Sequence, residues 1–339
     1  MSATSSIEWT DATWNPVRGC TRVSEGCRHC YAESVAYRFS GPGLAYEGLV
    51  RIDSKGVRRP NWNGKIQFVE EHLLDPMKWK PAKQTKYEFV DGHPRMTHTR
   101  SRRIFVNSMS DLFHENVTDE MRDKIFAVMA LCPQHTFQVL TKRPERMLDY
   151  LTGVDMMRRN EMWRWQVAAD EIIDNCAAVE DHPWPLPNVW LGVSVENQDA
   201  ADERIPLLLQ TPAAVRFISA EPLLGEICIE RIPRRNGYYT NDGTPLFWHP
   251  LAQGLDWVIV GGESGPGSRY CHIRWIRNIV EQCVSANVPV FVKQLGSNPV
   301  VNTEPDTPLL GSLDLLDKKG GDISEFPRDL QIREFPEVV

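Results

Sequence analysis

Three cysteines lie close together near the amino end of the chain, in the segment GCTRVSEGCRHCYAE at residues 19–33. Six residues separate Cys20 from Cys27, and two separate Cys27 from Cys30. A two-residue gap lets two thiolates face one metal centre, as in zinc knuckles and iron-sulfur sites. Three cysteines without a fourth beside them fit a cubane cluster with one iron that has no protein ligand. That iron is open to a substrate or a cofactor.

Two other uses of these thiols remain open. A structural zinc site usually has four ligands, and His29 is the nearby candidate for the fourth, although a side chain between Cys27 and Cys30 would point away from a metal that both hold. The thiols could also hold no metal. Haem attachment is excluded, because Tyr31 and not histidine follows Cys30. The other cysteines are scattered, and most are expected to be small core hydrophobes: Cys132, Cys176, Cys228, Cys271 and Cys283.

Composition indicates a globular protein. The chain has 339 residues, of which 42% are hydrophobic, enough to bury a large core. Residues 1–9 have neither a basic start nor an apolar run, and no stretch approaches the roughly twenty apolar residues that span a bilayer. We therefore expect a cytoplasmic protein without a membrane partner. In a reducing cytosol a tight group of cysteines more often holds a metal or performs redox chemistry than forms disulfides.

Charge is unevenly distributed. The net charge of -7 gives no overall support for nucleic-acid binding. Residues 51–103, however, contain thirteen Lys or Arg against six Asp or Glu, whereas residues 303–339 contain nine acidic residues against four basic ones. A solvated basic surface and an acidic tail would account for this pattern. The alternative is a basic track for a polyanion, which makes nucleic acid or a nucleotide the expected substrate class and the 51–103 segment its contact surface.

Short apolar segments alternate with helical patterns along the chain. Helices are predicted over Thr118–Leu131, Glu145–Leu151, Gln198–Leu209 and Ile273–Ala286, with Thr118 as an N-cap. Strands that are apolar throughout and alternate with helices indicate a parallel sheet covered by helices. With a first strand near Ala12–Asn15 the count is about eight, which predicts an α/β fold, a (β/α) barrel that is complete or partial. The other strand segments are 65–70, 103–111, 137–144, 189–197, 215–222, 257–265 and 289–296.

Two segments interrupt this alternation and are interpreted as insertions in one barrel domain over residues 1–296. Residues 152–187 contain helical sequence and a Pro-rich stretch, and residues 226–256 contain a hairpin signal around TNDGTP at 240–245. The tail at 297–339 has few periodic runs and many Pro, Asp and Gly residues. It is expected to pack on the surface or to be partly mobile.

Polar residues follow each of the six clearest predicted strands. In a parallel barrel the carboxyl ends of the strands surround one mouth, where functional residues collect. The cysteine segment follows the first strand and therefore opens at the same mouth. The strand-end residues are Ser108, Ser110, Asp111, Thr141, Lys142, Arg143, Ser194, Glu196, Asn197, Ser219, Glu221, Gly261, Gly262, Glu263, Ser264, Lys293 and Gln294.

A cysteine triplet after the first strand, an aromatic residue beside the third cysteine and a Gly-Gly-Glu strand end resemble the radical S-adenosylmethionine (SAM) superfamily. The chain is more closely similar to a phage-associated three-Cys-motif protein family, from about Trp9 to Gly296. Two features differ from the wider superfamily: the first cysteine gap is six residues where three is usual, and Gly-Gly-Glu ends a late strand, not the second. The similar motifs are WNPVRGCTRVSEGCRHCYAE, FVNSMSDLFH, LTKRPERM, GVSVEN, ISAEPLLG, VGGESGPGSR and FVKQLG.

The resemblance implies a [4Fe-4S] cluster on Cys20, Cys27 and Cys30, with the SAM amino and carboxylate groups on the fourth iron. One-electron reduction, from a flavodoxin- or ferredoxin-type donor, would cleave SAM to methionine and a 5'-deoxyadenosyl radical that abstracts hydrogen from the substrate. The expected cofactor-binding residues are Gly261 and Gly262 for close backbone approach, Glu263 or Glu221 for the ammonium, Lys142 or Arg143 for the carboxylate, Ser194, Glu196 or Asp111 for the ribose hydroxyls, and also Ser108 and Lys293.

Two functions of other classes also fit parts of the sequence. Glu196, Glu221 and Glu263 could supply a carboxylate pair for glycoside hydrolysis, which would leave the cysteines without a role. The protein could also be a zinc-bearing adaptor that binds nucleic acid or protein through residues 51–103. The polar residues at the mouth would then have no role.

Overall fold

Seven parallel strands form the central sheet of the computed structural model. The structure describes residues 4–90, 93–153, 161–173, 179, 182–233, 247–252, 254–302 and 310–337. Each strand pairs in parallel with the next one along the chain, so the order in the sheet follows the sequence. The predicted parallel α/β fold is confirmed. The strands are β1 (Ala12–Trp14), β2 (Arg102–Val106), β3 (His135–Thr141), β4 (Val189–Ser194), β5 (Val215–Ala220), β6 (Trp257–Gly261) and β7 (Val290–Gln294).

Helices cover the outer side of this sheet. The four predicted helices are confirmed within one residue at each end, as α3, α4, α6 and α7. Thr118 caps α3 as expected, because its side chain accepts a hydrogen bond from the backbone NH of Met121. The helices are α1 (Tyr31–Arg38), α2 (Asp75–Lys78), α3 (Asp119–Ala130), α4 (Pro144–Thr152), α5 (Glu161–Ile172), α6 (Gln198–Gln210) and α7 (Ile273–Ser285).

Aromatic side chains show that the sheet is curled. The ring of Trp9, which precedes β1, lies 4.7 Å from that of Phe105 on β2 and 6.4 Å from that of Trp257 on β6. Strands that are four positions apart in the sheet contact the same side chain only if the sheet bends around it. The sheet is therefore a half-barrel, and its inner face carries a buried aromatic core that includes Phe217 and Phe291.

The predicted strand at 65–70 is not part of the central sheet, so the sheet has seven strands where about eight were expected. Gln67–Phe68 instead pairs antiparallel with Val17–Arg18, beside the cysteine segment. Exposed and partly buried residues alternate from 65 to 68, which suits a small ribbon at the surface and not a fully covered strand.

Smaller elements surround the sheet. Their bounds are Val50–Ile52 with Arg58–Trp62, Ala82–Val90 with His93–Arg100, Ile232–Pro233 with Phe247–Trp248, and Cys271–His272 with Pro299–Asn302 and Leu310–Ser312. Short 3-10 helices occupy Glu25–Cys27, Glu70–His72, Pro250–Ala252, Ile323–Glu325 and Arg328–Leu330. The turn predicted at 240–245, like Cys176, lies outside the described residues. Over the described ranges, no helix has the length and apolar character needed to cross a membrane.

Candidate functional site

The cysteine loop, residues 19–30, lies at the carboxyl edge of the sheet. Gly19 forms a parallel bridge with Ser110, which follows β2, so the loop begins along the end of that strand. A 3-10 turn then carries Cys27, and Cys30 directly precedes α1. All three cysteines are free thiols of intermediate exposure. The loop is therefore partly shielded but accessible from the mouth of the half-barrel.

The three thiols form one electrostatically coupled group. The pKa of Cys20 is raised to about 12, mainly by burial; the carboxylate of Asp111 and the charges of Cys30 and Cys27 act in the same direction, and Arg143 opposes them. Burial also raises the pKa of Cys30, and the charge of Cys27 adds to this effect. Each pair in the triplet is thus close enough for one thiolate to disfavour the other, which is the situation that a bound cation relieves.

The donor set of the cysteine loop consists of three thiols. Among the residues that the structure describes, no group of three or more His, Cys, Asp and Glu side chains is arranged to hold a single metal ion. Thiolates are the ligands that iron-sulfur clusters select.

Glu263 fastens the cysteine loop to the end of β6. Its Oε2 atom lies 3.1 Å from Nδ1 of His29 and accepts a 2.8 Å hydrogen bond from the backbone NH of Arg269. The Arg269 guanidinium donates to the same carboxylate at 3.0 and 2.5 Å and, through Nη1, to the carbonyl of Glu25 at 2.9 Å. Burial alone would raise the pKa of Glu263, but these donors outweigh it and hold that pKa below its usual value.

Glu196 anchors a second part of the cysteine loop. Its carboxylate is 1% exposed, accepts a 2.8 Å hydrogen bond from Arg204, and also bonds the side chain of Ser24. A Cβ atom on Gly26 would lie 3.0 Å from this carboxyl group, so the loop passes close over it. Burial favours a higher pKa, but the charges of Arg204 and Lys142 prevail and the pKa of Glu196 is lowered. A glycosidase acid needs a raised pKa, and neither Glu196 nor Glu263 has one.

Arg143 anchors the beginning of the cysteine loop. Its guanidinium pairs with Asp111 at 2.9 Å, donates to the hydroxyl of Thr21 at 2.7 Å, and has Nη1 4.0 Å from Sγ of Cys20. Thr141 donates a 2.7 Å hydrogen bond to the other oxygen of Asp111. The predicted strand-end residues Asp111 and Arg143 are therefore brought together, and both act on the first cysteine.

Lys142 and the pair formed by Glu221 and Lys293 line the mouth without holding the loop. Lys293 Nζ lies 3.0 Å from Glu221 Oε1, and the hydroxyl of Ser219 donates to Glu221 at 3.4 Å. The half-buried Lys142 ammonium makes no ion pair or hydrogen bond with any described residue, yet its charge acts on both Cys30 and Glu196. Lys142 is thus a positive charge beside the third cysteine that has no protein counterion in the described chain.

The remaining predicted residues have contacts within the protein. A Cβ atom on Gly261 would lie 2.7 Å from Glu221 Oε1, and one on Gly262 would lie 2.3 Å from the carbonyl oxygen of Leu295, so neighbouring groups already require both glycines. The carbonyl of Ser108 accepts a 2.6 Å hydrogen bond from the hydroxyl of Tyr31, and that of Ser194 accepts one of 2.8 Å from Arg204.

Sequence reasoning missed the cations that pair with the loop's anchoring carboxylates. Arg204 lies within α6, Arg269 follows the Gly-Gly-Glu motif by six residues, and Arg22 pairs at 2.5 Å with Glu33, which is 3% exposed. Nothing local marks these arginines. The only available signal was the general rule that a buried carboxylate needs a partner.

Comparison with known proteins gives one result. A family model described as "Protein of unknown function (DUF5131)" matches residues 4–318. No curated protein and no solved structure gave a match. The matched range includes the cysteine loop and all seven strands of the sheet. Because the model covers most of the chain, this protein belongs to the DUF5131 family.

Proposed function

We propose that this protein is an iron-sulfur enzyme that uses S-adenosylmethionine for radical chemistry, with Cys20, Cys27 and Cys30 as the cluster ligands. One observation carries the proposal: three free, mutually coupled thiols occupy the loop after the first strand, at the carboxyl edge of a curled parallel sheet. On this proposal the half-barrel is a partial (β/α) barrel whose mouth is the reaction site. When bound, the cluster would supply the electron that cleaves SAM and so generate the hydrogen-abstracting radical.

The protein's own groups divide into two sets. Glu196, Glu263 and Arg143 hold the cysteine loop in place, since each contacts it directly. Lys142 is the group best suited to take the SAM carboxylate, because it is positive, lies near Cys30 and has no counterion in the described chain. Glu221 is the acid best suited to the ammonium, since among the described residues it bonds only to Lys293 and Ser219.

Anaerobic purification and reconstitution test the proposal. The unaltered protein should be brown, contain about four irons and four sulfides per chain, and release 5'-deoxyadenosine when it is reduced in the presence of SAM. Replacing Cys20, Cys27 or Cys30 by Ser should abolish the colour and the product. Cys228→Ser is the matched control, since Cys228 is a free, exposed thiol outside the loop, and it should retain both.

Three results would contradict the proposal. A colourless protein that holds stoichiometric zinc would indicate the zinc-bearing adaptor. A folded protein that binds no metal would rule out the iron-sulfur cluster. An intact cluster that yields no 5'-deoxyadenosine under reduction with SAM would leave an iron-sulfur protein without the SAM reaction. Each of these outcomes is read directly from metal analysis and product chromatography.

A further inference from the structure

Helix α1 presents aromatic side chains to solvent. Tyr31 and Tyr37 are 53% and 40% exposed, whereas Ala32 and Ala36 are buried against the protein. A surface helix normally buries its large side chains and exposes its polar ones. In α1 the small residues face inward, which brings the helix close to its neighbours and leaves the rings outside. Large exposed side chains grouped together mark a contact surface.

This surface continues onto the hairpin of Val50–Ile52 and Arg58–Trp62, against which α1 packs. The guanidinium of Arg58 lies 5.9 Å from the ring centroid of Tyr37 and donates to the hydroxyl of Ser40 at 3.1 Å. Phe39 and Ile52 are 46% and 61% exposed. The α1 patch is defined by Tyr37, Arg38, Phe39, Arg51, Ile52 and Arg58.

The patch is basic in an acidic protein. Residues 17–65 contain nine Lys or Arg and four Asp or Glu, although the whole chain has a net charge of -7. Three of those acids are already paired: Glu33 with Arg22, Asp53 with Arg59, and Glu25 with Arg28 and Arg269. Within the described chain, Arg38, Arg51 and Arg58 have no carboxylate at ion-pair distance. The patch therefore carries arginine charge that an anionic partner can neutralise.

Arginine interleaved with exposed rings suits a particular kind of polyanion. Proteins bind single-stranded nucleic acid by neutralising phosphates with basic side chains and stacking bases on aromatic ones, and arginine adds to the stacking. A protein partner could also use the rings, but the excess of unpaired arginines favours phosphate. The basic segment predicted at 51–103 overlaps the α1 patch only at its beginning, and the side chains of 84–98 lie outside the described residues.

We propose that the α1 patch binds single-stranded nucleic acid, which is the polymer substrate of the cysteine site. Tyr31 begins α1 directly after Cys30, so a strand on the patch runs beside the mouth. The hydroxyl of Tyr31 is fixed by the carbonyl of Ser108, which orients this ring at the border between the patch and the mouth. Only the fate of the bound nucleotide depends on the proposed radical chemistry; the binding itself does not.

Fluorescence anisotropy with labelled oligonucleotides tests the proposal on the full chain. The probes are mixed-sequence single-stranded DNA, single-stranded RNA and duplex DNA, titrated at several salt concentrations. At least one single-stranded probe should bind, and more tightly than the duplex. Tyr37→Ala should weaken that binding about fivefold or more. Arg38→Ala with Arg58→Ala should lower the slope of log K against log salt by about one for each arginine.

Arg274→Ala with Arg328→Ala is the matched control, because both arginines are exposed and lie outside the patch. It should leave binding unchanged, and circular dichroism should show every variant folded. The proposal would be overturned if no probe bound, or if the patch substitutions left the affinity unchanged. It would also be overturned if the patch bound a protein partner and not the probes. The cleavage of SAM without nucleic acid is measured separately, so failure of the patch and failure of the radical chemistry give different results.

Discussion

At the scale of single residues, the acid of the Gly-Gly-Glu motif is engaged with the protein itself. The carboxylate of Glu263 accepts hydrogen bonds from the backbone and guanidinium of Arg269 and lies beside His29. Those contacts use most of the hydrogen-bonding capacity of the Glu263 carboxylate, so little remains for a ligand ammonium. They also join β6 to the turn between Cys27 and Cys30. We infer that Glu263 is a positioning residue for the cysteine loop.

Glu263→Gln separates this role from cofactor binding. The amide keeps the shape but loses the charge, so the bonds from Arg269 weaken by about 1.5–3 kcal/mol. We expect a clear fall in iron per chain after reconstitution, while the molecules that keep a cluster bind SAM with unchanged affinity. Glu226→Gln is the control, since Glu226 also pairs with an arginine but at the surface of the protein. Full iron content with weakened SAM binding would assign Glu263 to the ammonium instead.

At the scale of helices and strands, much of the structure follows from local sequence. Thr118 begins α3 because its hydroxyl replaces a missing backbone partner, and the apolar runs form covered strands because helices lie over them. Helix α1 was not predicted, since its inward face is Ala32, Glu33 and Ala36 and its rings point out. The site contacts could not be predicted either, because His29 and Glu263 are 234 residues apart and only the curl of the sheet brings them together.

Helix α5 belongs to the predicted insertion at 152–187, yet it packs within the helix layer. The ring of Trp165 stacks on that of Phe126 in α3 at 4.7 Å, and its indole NH donates to the hydroxyl of Tyr150 in α4 at 2.9 Å. That hydroxyl in turn donates to Asp123 at 2.7 Å. One buried hydroxyl therefore connects three helices.

Tyr150→Phe should destabilise the fold, because it leaves the indole NH of Trp165 without its partner and removes a donor from Asp123. The expected loss is about 1–3 kcal/mol in the free energy of unfolding, measured by urea denaturation. Tyr46→Phe is the matched control, since the Tyr46 hydroxyl has no hydrogen-bond partner among the described residues, and it should change little. Equal urea midpoints for the two variants would show that the hydroxyl network adds no stability.

At the scale of the whole molecule, the two ends of the half-barrel have different composition. The carboxyl end holds the thiols and the paired charges, whereas the inner core toward the amino end is aromatic. Residues 332–335 of the C-terminal tail close this second end. The backbone NH of Val292 on β7 donates to Ile332, and the indole of Trp257 donates to the carbonyl of Glu334 at 2.9 Å. The tail thus covers the open edge of β7 and joins the aromatic core of the half-barrel.

Phe335 is the tail residue on which this closure depends most. Its ring lies 5.3 Å from that of Trp257, and the guanidinium of Arg103 lies 3.5 Å from its centroid. Since Phe335 is only partly buried, Phe335→Ala should cost less than a full core truncation, about 1–3 kcal/mol in urea denaturation. Leu316→Ala, at a side chain that is 94% exposed, should change stability by no more than about 0.5 kcal/mol. Because Phe335 lies at the end opposite the cysteines, folded F335A should reconstitute with the iron content of the unaltered chain. Loss of iron together with stability would mean that the two ends are not independent, and that the tail supports the cysteine loop as well as the core.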